Sequence, residues 1–197
     1  DKIFEEAKKV GRDYVAIINV TKGFLESSID YLRELVRRDG KPALVVVYPD
    51  NIYYWVINVE YNIIDATLKP REIATFQIDV GNAEEFGISY VDPSSAQKKP
   101  PIIHTAIIGS VERYIYMLFD TAAKIEEMGR TPYLPFWASP IQVRIIPIKP
   151  EHLGYALEIM RAISERGFRV DVDDRDESLA KKLRDAGIEW AYFVVIV

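Results

Sequence analysis

The sequence predicts an α+β fold in two parts: a region built on an antiparallel sheet, then a small α/β domain whose sheet is mainly parallel. Strand-like runs succeed one another between residues 43 and 108, whereas strands and helices alternate as β-α-β-α-β from residue 141 onward. Between the parts lies Thr131–Pro140, TPYLPFWASP, whose three prolines stiffen the chain and whose three aromatics pin it. The expected divisions are therefore 1–130, a linker over 131–140, and 141–197.

Taken in order, Ile3–Val10 reads as the end of a helix stopped near Gly11. Thr21 is placed to cap a second helix running to about Arg38, with Phe24, Leu25, Ile29, Leu32, Leu35 and Val36 on one face and Gly40-Lys41-Pro42 as its stop. Ala43–Tyr48 and Ile52–Tyr61 read as strands, and Pro49-Asp50-Asn51 between them is hairpin chemistry. A third strand, Arg71–Val80, alternates with period two. Thr75, Gln77 and Asp79 point to one face and Ala74, Phe76, Ile78 and Val80 to the other. That polar face fits either a solvated sheet surface or the floor of a substrate pocket, where an amide and a carboxylate meet an ammonium or a hydroxyl.

Gly81–Phe86 is expected as a short helix, Ile88–Val91 as a brief strand and Asp92–Lys99 as a surface turn. Ile102–Ile108, bounded by Pro100-Pro101 and Gly109, reads as a buried strand feeding directly into a helix that Ser110 caps and that ends around Met128-Gly129. Beyond the linker come a strand at Gln142–Ile148, a helix at Glu151–Arg166, a strand at Phe168–Val172, a helix at Glu177–Ala186 and a strand at Ala191–Val197.

Composition narrows the function. The net charge of −5 excludes a nonspecific coat for nucleic acid, which needs clustered cations, while leaving room for a local basic face. Cysteine is absent, so neither disulfides nor thiolate metal sites arise from this chain alone. No apolar run approaches a membrane span and the opening DKIFEEAKKVGRD is charged throughout, so a soluble cytoplasmic protein is expected.

The junction at Gly109 holds the strongest chemical signal. A strand, a glycine, a helix N-terminus and Arg113 one turn in bring backbone N–H groups and a cation to one point, which suits a phosphate, although ordinary folds also contain such turns. The residues themselves are more specific. HTAIIGSVERYIYMLFD resembles motif 3 of the class II aminoacyl-tRNA synthetases, in the version found in threonyl-tRNA synthetases. YYWVINVEYNIIDATLKPREIATFQIDVGNAEEFGISYV is similar to the late catalytic domain of the archaeal threonyl enzymes. PFWASPIQVRIIPI is similar to the junction into their anticodon-binding domain, and FRVDVDDRDESLAKKLRDAGIEWAYFVVIV to that domain's core.

The resemblance implies a threonine–tRNA ligase, which uses ATP with Mg2+ to activate L-threonine as threonyl-adenylate and transfers it to the 3′ end of tRNA(Thr). It assigns Arg113 to the ATP γ-phosphate, a task that suits a planar guanidinium fork, and Gly109 to close backbone approach at the same place. It assigns His104 as one zinc ligand, Gln77, Asp79 and Ser110 to the substrate pocket with Thr75 beside them, and Asp176 and Arg184 to anticodon bases. Arg144, Arg175 and Lys181 are candidates for phosphate contacts or for an ordinary solvated helix face. A Zn2+ that binds the threonine hydroxyl rejects valine better than an apolar pocket does.

The same resemblance places motif 1, which builds a homodimer interface, motif 2 and the other two zinc ligands upstream of Asp1. The other histidine, His152, is expected at the surface of the second domain. The chain is thus expected to be the latter part of a synthetase, inactive alone and with its anticodon-binding domain incomplete. A noncatalytic tRNA-binding paralogue is the alternative, and a related enzyme for proline or glycine is disfavoured by the histidine before the motif 3 glycine.

Overall fold

A computed structural model describes residues 2–197, and it divides into two compact units, Asp1–Thr121 and Ala122–Val197. The division falls inside a helix, Val111–Glu127.

In the first unit, α1 (Lys2–Val10) leads into β1 (Val15–Thr21), α2 (Lys22–Asp39), β2 (Ala43–Tyr48), β3 (Trp55–Ile64) and β4 (Pro70–Asp79). A short α3 (Asn82–Glu85), a two-stranded ribbon of β5 (Tyr90–Val91) and β6 (Gln97–Lys98), β7 (Ile102–Ala106) and α4 (Val111–Glu127) complete it. The main sheet has the order β2-β1-β3-β4-β7, antiparallel except for the β1–β2 pair.

Three expectations are corrected here. Pro49-Asp50-Asn51 does not close a hairpin, because β1, which the expected elements do not include, lies between β2 and β3 and pairs with both. With α2 as the crossover, β1 and β2 form a parallel βαβ unit. Thr21, buried at the end of β1, makes no side-chain cap to α2; Asp50 Oδ1 instead accepts from Gly23 N–H at 2.9 Å. Finally, β7 is an edge strand whose central residues Ile103–Thr105 are exposed, not a buried one. Its apolar composition marked a strand but carried no information about position in the sheet.

The apolar face of this sheet is covered by helices. Ile18 and Val45 line one groove with Leu25, Ile29, Leu32 and Val36 of α2, and Val59, Tyr61 and Phe76 line another with Ile3 and Phe4 of α1 and Tyr31 and Leu35 of α2, where the Phe4 and Tyr61 rings lie 5.6 Å apart. That leaves the opposite face to the polar residues of β1, β3, β4 and β7.

The second unit holds β8 (Val143–Ile146), a 3-10 turn at Pro150–His152, α5 (Leu153–Ser164), β9 (Val170–Val172), α6 (Leu179–Ile188) and β10 (Phe193–Ile196). The sheet order β10-β8-β9 is parallel throughout, as the alternation of elements predicts. Val143, Ile145 and Ala156 form its core with Ile159, Met160, Ile163, Val170, Val172 and Val195 against them. Ile145 is 0% exposed, so Ile145→Ala leaves a cavity and is expected to cost about 3 kcal/mol, read as a lower urea midpoint.

The proline-rich stretch is pinned to this unit. Phe136 packs against Phe168, Tyr192 and Phe193, and Arg169 donates to the Trp137 and Ser139 carbonyls. Among the described residues no helix is long and apolar enough to cross a membrane.

Candidate functional site

The sheet register assembles the site. Asn19 on β1 stands opposite Asn58 on β3, Asn58 opposite Gln77 on β4, and Gln77 opposite His104 on β7. One row of polar side chains thus crosses four strands, on the face that α1 and α2 leave open.

This row is internally hydrogen-bonded. Gln77 is held at both ends of its amide: Nε2 donates to Asn58 Oδ1 at 3.2 Å, and Oε1 accepts from the Tyr54 hydroxyl at 3.1 Å. Thr75 Oγ1 donates to the same Asn58 oxygen at 2.9 Å. The Asn58 and Asn19 amides each donate to Glu60 Oε1 at 2.9 Å. Burial, and then the charge of Glu72, push the Glu60 carboxyl above its ordinary value, against the neighbouring amides that favour its ionised form. Asn19, Asn58 and Glu60 were not among the sequence candidates. Their only signal was the alternation of Asn58, Glu60 and Asn62 along one strand, which acquires meaning once β1 is placed alongside.

Asp79 does not line an open floor. Its side chain is 0% exposed, and its oxygens accept from Gly81 N–H and Asn82 N–H at 2.9 Å each and from Asn82 Nδ2 at 2.6 Å. The remaining bond, at 2.8 Å, runs to His104 Nε2. Burial raises the Asp79 carboxyl, but these hydrogen bonds, the Asn82 N–H foremost, outweigh it and hold the group below its ordinary value. Because an ionised carboxylate only accepts, His104 Nε2–H donates to Asp79, and Nδ1 is the ring nitrogen that Asp79 does not engage. The half-exposed ring is thereby oriented as a histidine ligand is by an outer carboxylate. Among the described residues no three His, Cys, Asp or Glu side chains come together as a metal set, so this chain offers one donor, not a site.

The glycine junction lies beside β4. Gly109 has φ +65, and a Cβ there would stand 3.0 Å from the Ile73 carbonyl oxygen, so both the left-handed backbone and the close approach to β4 require glycine. Ser110 Oγ accepts from Arg113 N–H at 3.3 Å and caps α4 as expected. The Arg113 guanidinium sits 3.4 Å from Glu72, both partly exposed, at the wall of a cavity of about 590 Å3 that also meets Arg71, Ile73, Glu112 and Tyr116.

In the second unit a smaller cavity of about 280 Å3 opens at the carboxyl ends of β8 and β9, between Pro147–Pro150 and Asp174–Glu177. Since the chain leaves the central strand β8 for β9 on one side and reaches β10 on the other, this is the switch point where open α/β sheets take ligands. Asp176 lines it, while Arg184 stands outside it, exposed on α6. The other three cations are paired. Arg144 is buried against Asp171 and Glu189, Arg175 spans Asp173 and Asp185, and Lys181 meets Glu177 and Asp185. His152 Nδ1 lies 3.1 Å from the Val197 carbonyl oxygen.

A small parallel α/β unit carries a crevice at its switch point, and residues 142–197 match the family model described as Anticodon binding domain. Over its whole length the chain is similar to threonine–tRNA ligases. It is 58% identical over 197 residues to that of Staphylothermus marinus and 58% identical over 196 residues to that of Thermofilum pendens, spanning 32% of the length of each. Its fold is also that of the crystal structure of the RNA-binding domain of threonyl-tRNA synthetase from Cryptosporidium parvum. There the TM-score is 0.77 at 23% identity, over 98% of this chain and 48% of that one.

Proposed function

We propose that this chain supplies the latter part of a class II catalytic domain (1–130), a linker (131–140) and an anticodon-binding domain (141–197) to a threonine–tRNA ligase. The enzyme forms threonyl-adenylate from L-threonine and ATP with Mg2+, then esterifies the 3′ end of tRNA(Thr), acting as a homodimer. The observation that carries this reading is the row that sets Gln77 beside His104 on neighbouring strands, in a chain aligned end to end with such ligases.

In this reading the floor of the threonine pocket is Gln77, with its amide fixed by Asn58 and Tyr54, so that a hydroxyl or ammonium meets a donor and acceptor of known orientation. His104 would give one ring nitrogen to Zn2+, with further donors from outside these residues, and the metal would supply Lewis-acid binding of the threonine amino and hydroxyl groups. Asp79 acts through His104 and the turn after β4 rather than by touching substrate. Arg113 and the start of α4 receive the phosphates of ATP, and positioning with charge stabilisation does most of the work.

The test is threonine-dependent pyrophosphate exchange, with valine as competitor, by the full-length polypeptide that carries this segment. Exchange specific for threonine supports the reading. Tight tRNA binding without exchange would make the protein a noncatalytic tRNA-binding paralogue. Arg184→Ala is expected to lower aminoacylation of tRNA about tenfold while adenylate formation stays at the wild-type rate. A defect confined to adenylate formation would remove Arg184 from the anticodon surface.

A further inference from the structure

We infer that Arg71 is a second phosphate-binding arginine, acting with Arg113 across one cavity on the triphosphate of the nucleotide; this rests on the ATP reading above. A triphosphate carries more charge than one guanidinium balances, and Arg113 by itself offers a single fork. The cavity of about 590 Å3 at the start of α4 is lined by both arginines. Tyr116 lies three residues after Arg113 and so shares its face of α4, and the Arg71 guanidinium lies over the Tyr116 ring, 5.8 Å from its centre.

Arg71 is held in place by a chain of contacts with no counterpart at Arg113. Asp65 is fully buried, and its Oδ1 accepts from Thr67 N–H, Thr67 Oγ1 and Lys69 N–H at 2.8, 2.7 and 2.9 Å. Its Oδ2 is thereby aimed at Arg71 Nε, 2.7 Å away, and also accepts from the Tyr116 hydroxyl at 2.9 Å. Only Nε of Arg71 bonds to Asp65, and no second carboxylate lies within ion-pair distance among the described residues. The guanidinium, half-exposed and oriented by Asp65 and Tyr116, thus lines the cavity with no carboxylate on its terminal nitrogens among the described residues. Such preorganisation lowers the ordering cost of binding an anion. Among the described residues Arg113 pairs only with Glu72, at 3.4 Å and partly exposed, a contact weak enough to yield to phosphate. The pair thus combines one fixed and one mobile arginine.

The experiment compares Arg71→Lys, Arg71→Ala and Arg113→Ala in the full-length enzyme that carries this segment, by KM for ATP and for threonine in pyrophosphate exchange, alongside Tm. Arg71→Lys keeps the charge and much of the packing but loses the fork. It is expected to raise KM for ATP about tenfold with KM for threonine unchanged, and Arg71→Ala to raise it further. An unchanged KM for ATP in Arg71→Lys, or a rise shared equally by both substrates with a lowered Tm, would make Arg71 a strut for the Asp65 turn and overturn the inference. If Arg113→Ala also leaves ATP untouched, the ATP reading of the cavity fails with it; if Arg113→Ala abolishes exchange, only the role of Arg71 is lost. Should Arg71→Ala fail to fold, Arg71→Lys alone decides.

Discussion

Arg113→Ala is expected to lower threonine-dependent pyrophosphate exchange by about a hundredfold to a thousandfold, with circular dichroism and Tm close to wild type. The side chain stands at the wall of the large cavity, it is 55% exposed, and its ion pair with Glu72 is long. Little of the fold therefore depends on it, because an exposed pair of this kind adds at most about 1 kcal/mol. A guanidinium that meets charge developing on phosphate in a partly dehydrated site is worth far more. The α4 cap survives the substitution, since it uses the Arg113 backbone N–H and the Ser110 hydroxyl. Undiminished exchange with an intact fold would take Arg113 out of the site.

Asp79→Ala is expected to cost about 3 kcal/mol of stability, because it strands the Gly81 and Asn82 N–H groups, the Asn82 amide and His104 Nε2 at once. It also releases the imidazole. In wild type, nitrogen NMR is expected to show His104 as the Nε2–H tautomer, and in Asp79→Ala as a mixture with Nδ1–H. An unaltered tautomer in the variant would mean that Asp79 does not set the ring. The pH dependence follows from the lowered carboxyl. Its contribution is fully present above the ordinary value of 3.8 and is lost as the pH falls through the depressed folded value. Between neutral pH and about pH 3, wild type should therefore lose more stability than Asp79→Asn, measured by urea denaturation.

Much of this architecture was legible along the chain because it is local. Gly109, Ser110 and Val111 announce a strand-to-helix junction through backbone and capping chemistry, and the junction forms as read. The period-two pattern of Arg71–Val80 separates Thr75 and Gln77 from Ala74 and Phe76, and the second set does face the covering helices while Gln77 joins the polar row. The β-α-β-α-β alternation after residue 141 gives the parallel sheet, since short connections through helices leave few other topologies.

What the sequence by itself determined, then, is where most of the strands and helices form and which face of β4 is polar. These depend on neighbours a few positions apart. Tertiary structure decided the partners. Inserting β1 between β2 and β3 cancels the apparent hairpin and brings Asn19 and Asn58 into line with Gln77 and His104. Burial of Asp79 turns a pocket carboxylate into the support of a histidine, and packing of α4 sets Arg71 over Tyr116 beside Arg113. In the second unit, ion pairs engage Arg144, Arg175 and Lys181, leaving Arg184 exposed on α6 and Asp176 at the crevice. The physical reason is common to all four. A side chain's type is written locally, but its hydrogen-bond partner and its distance from water are fixed by residues dozens of positions away.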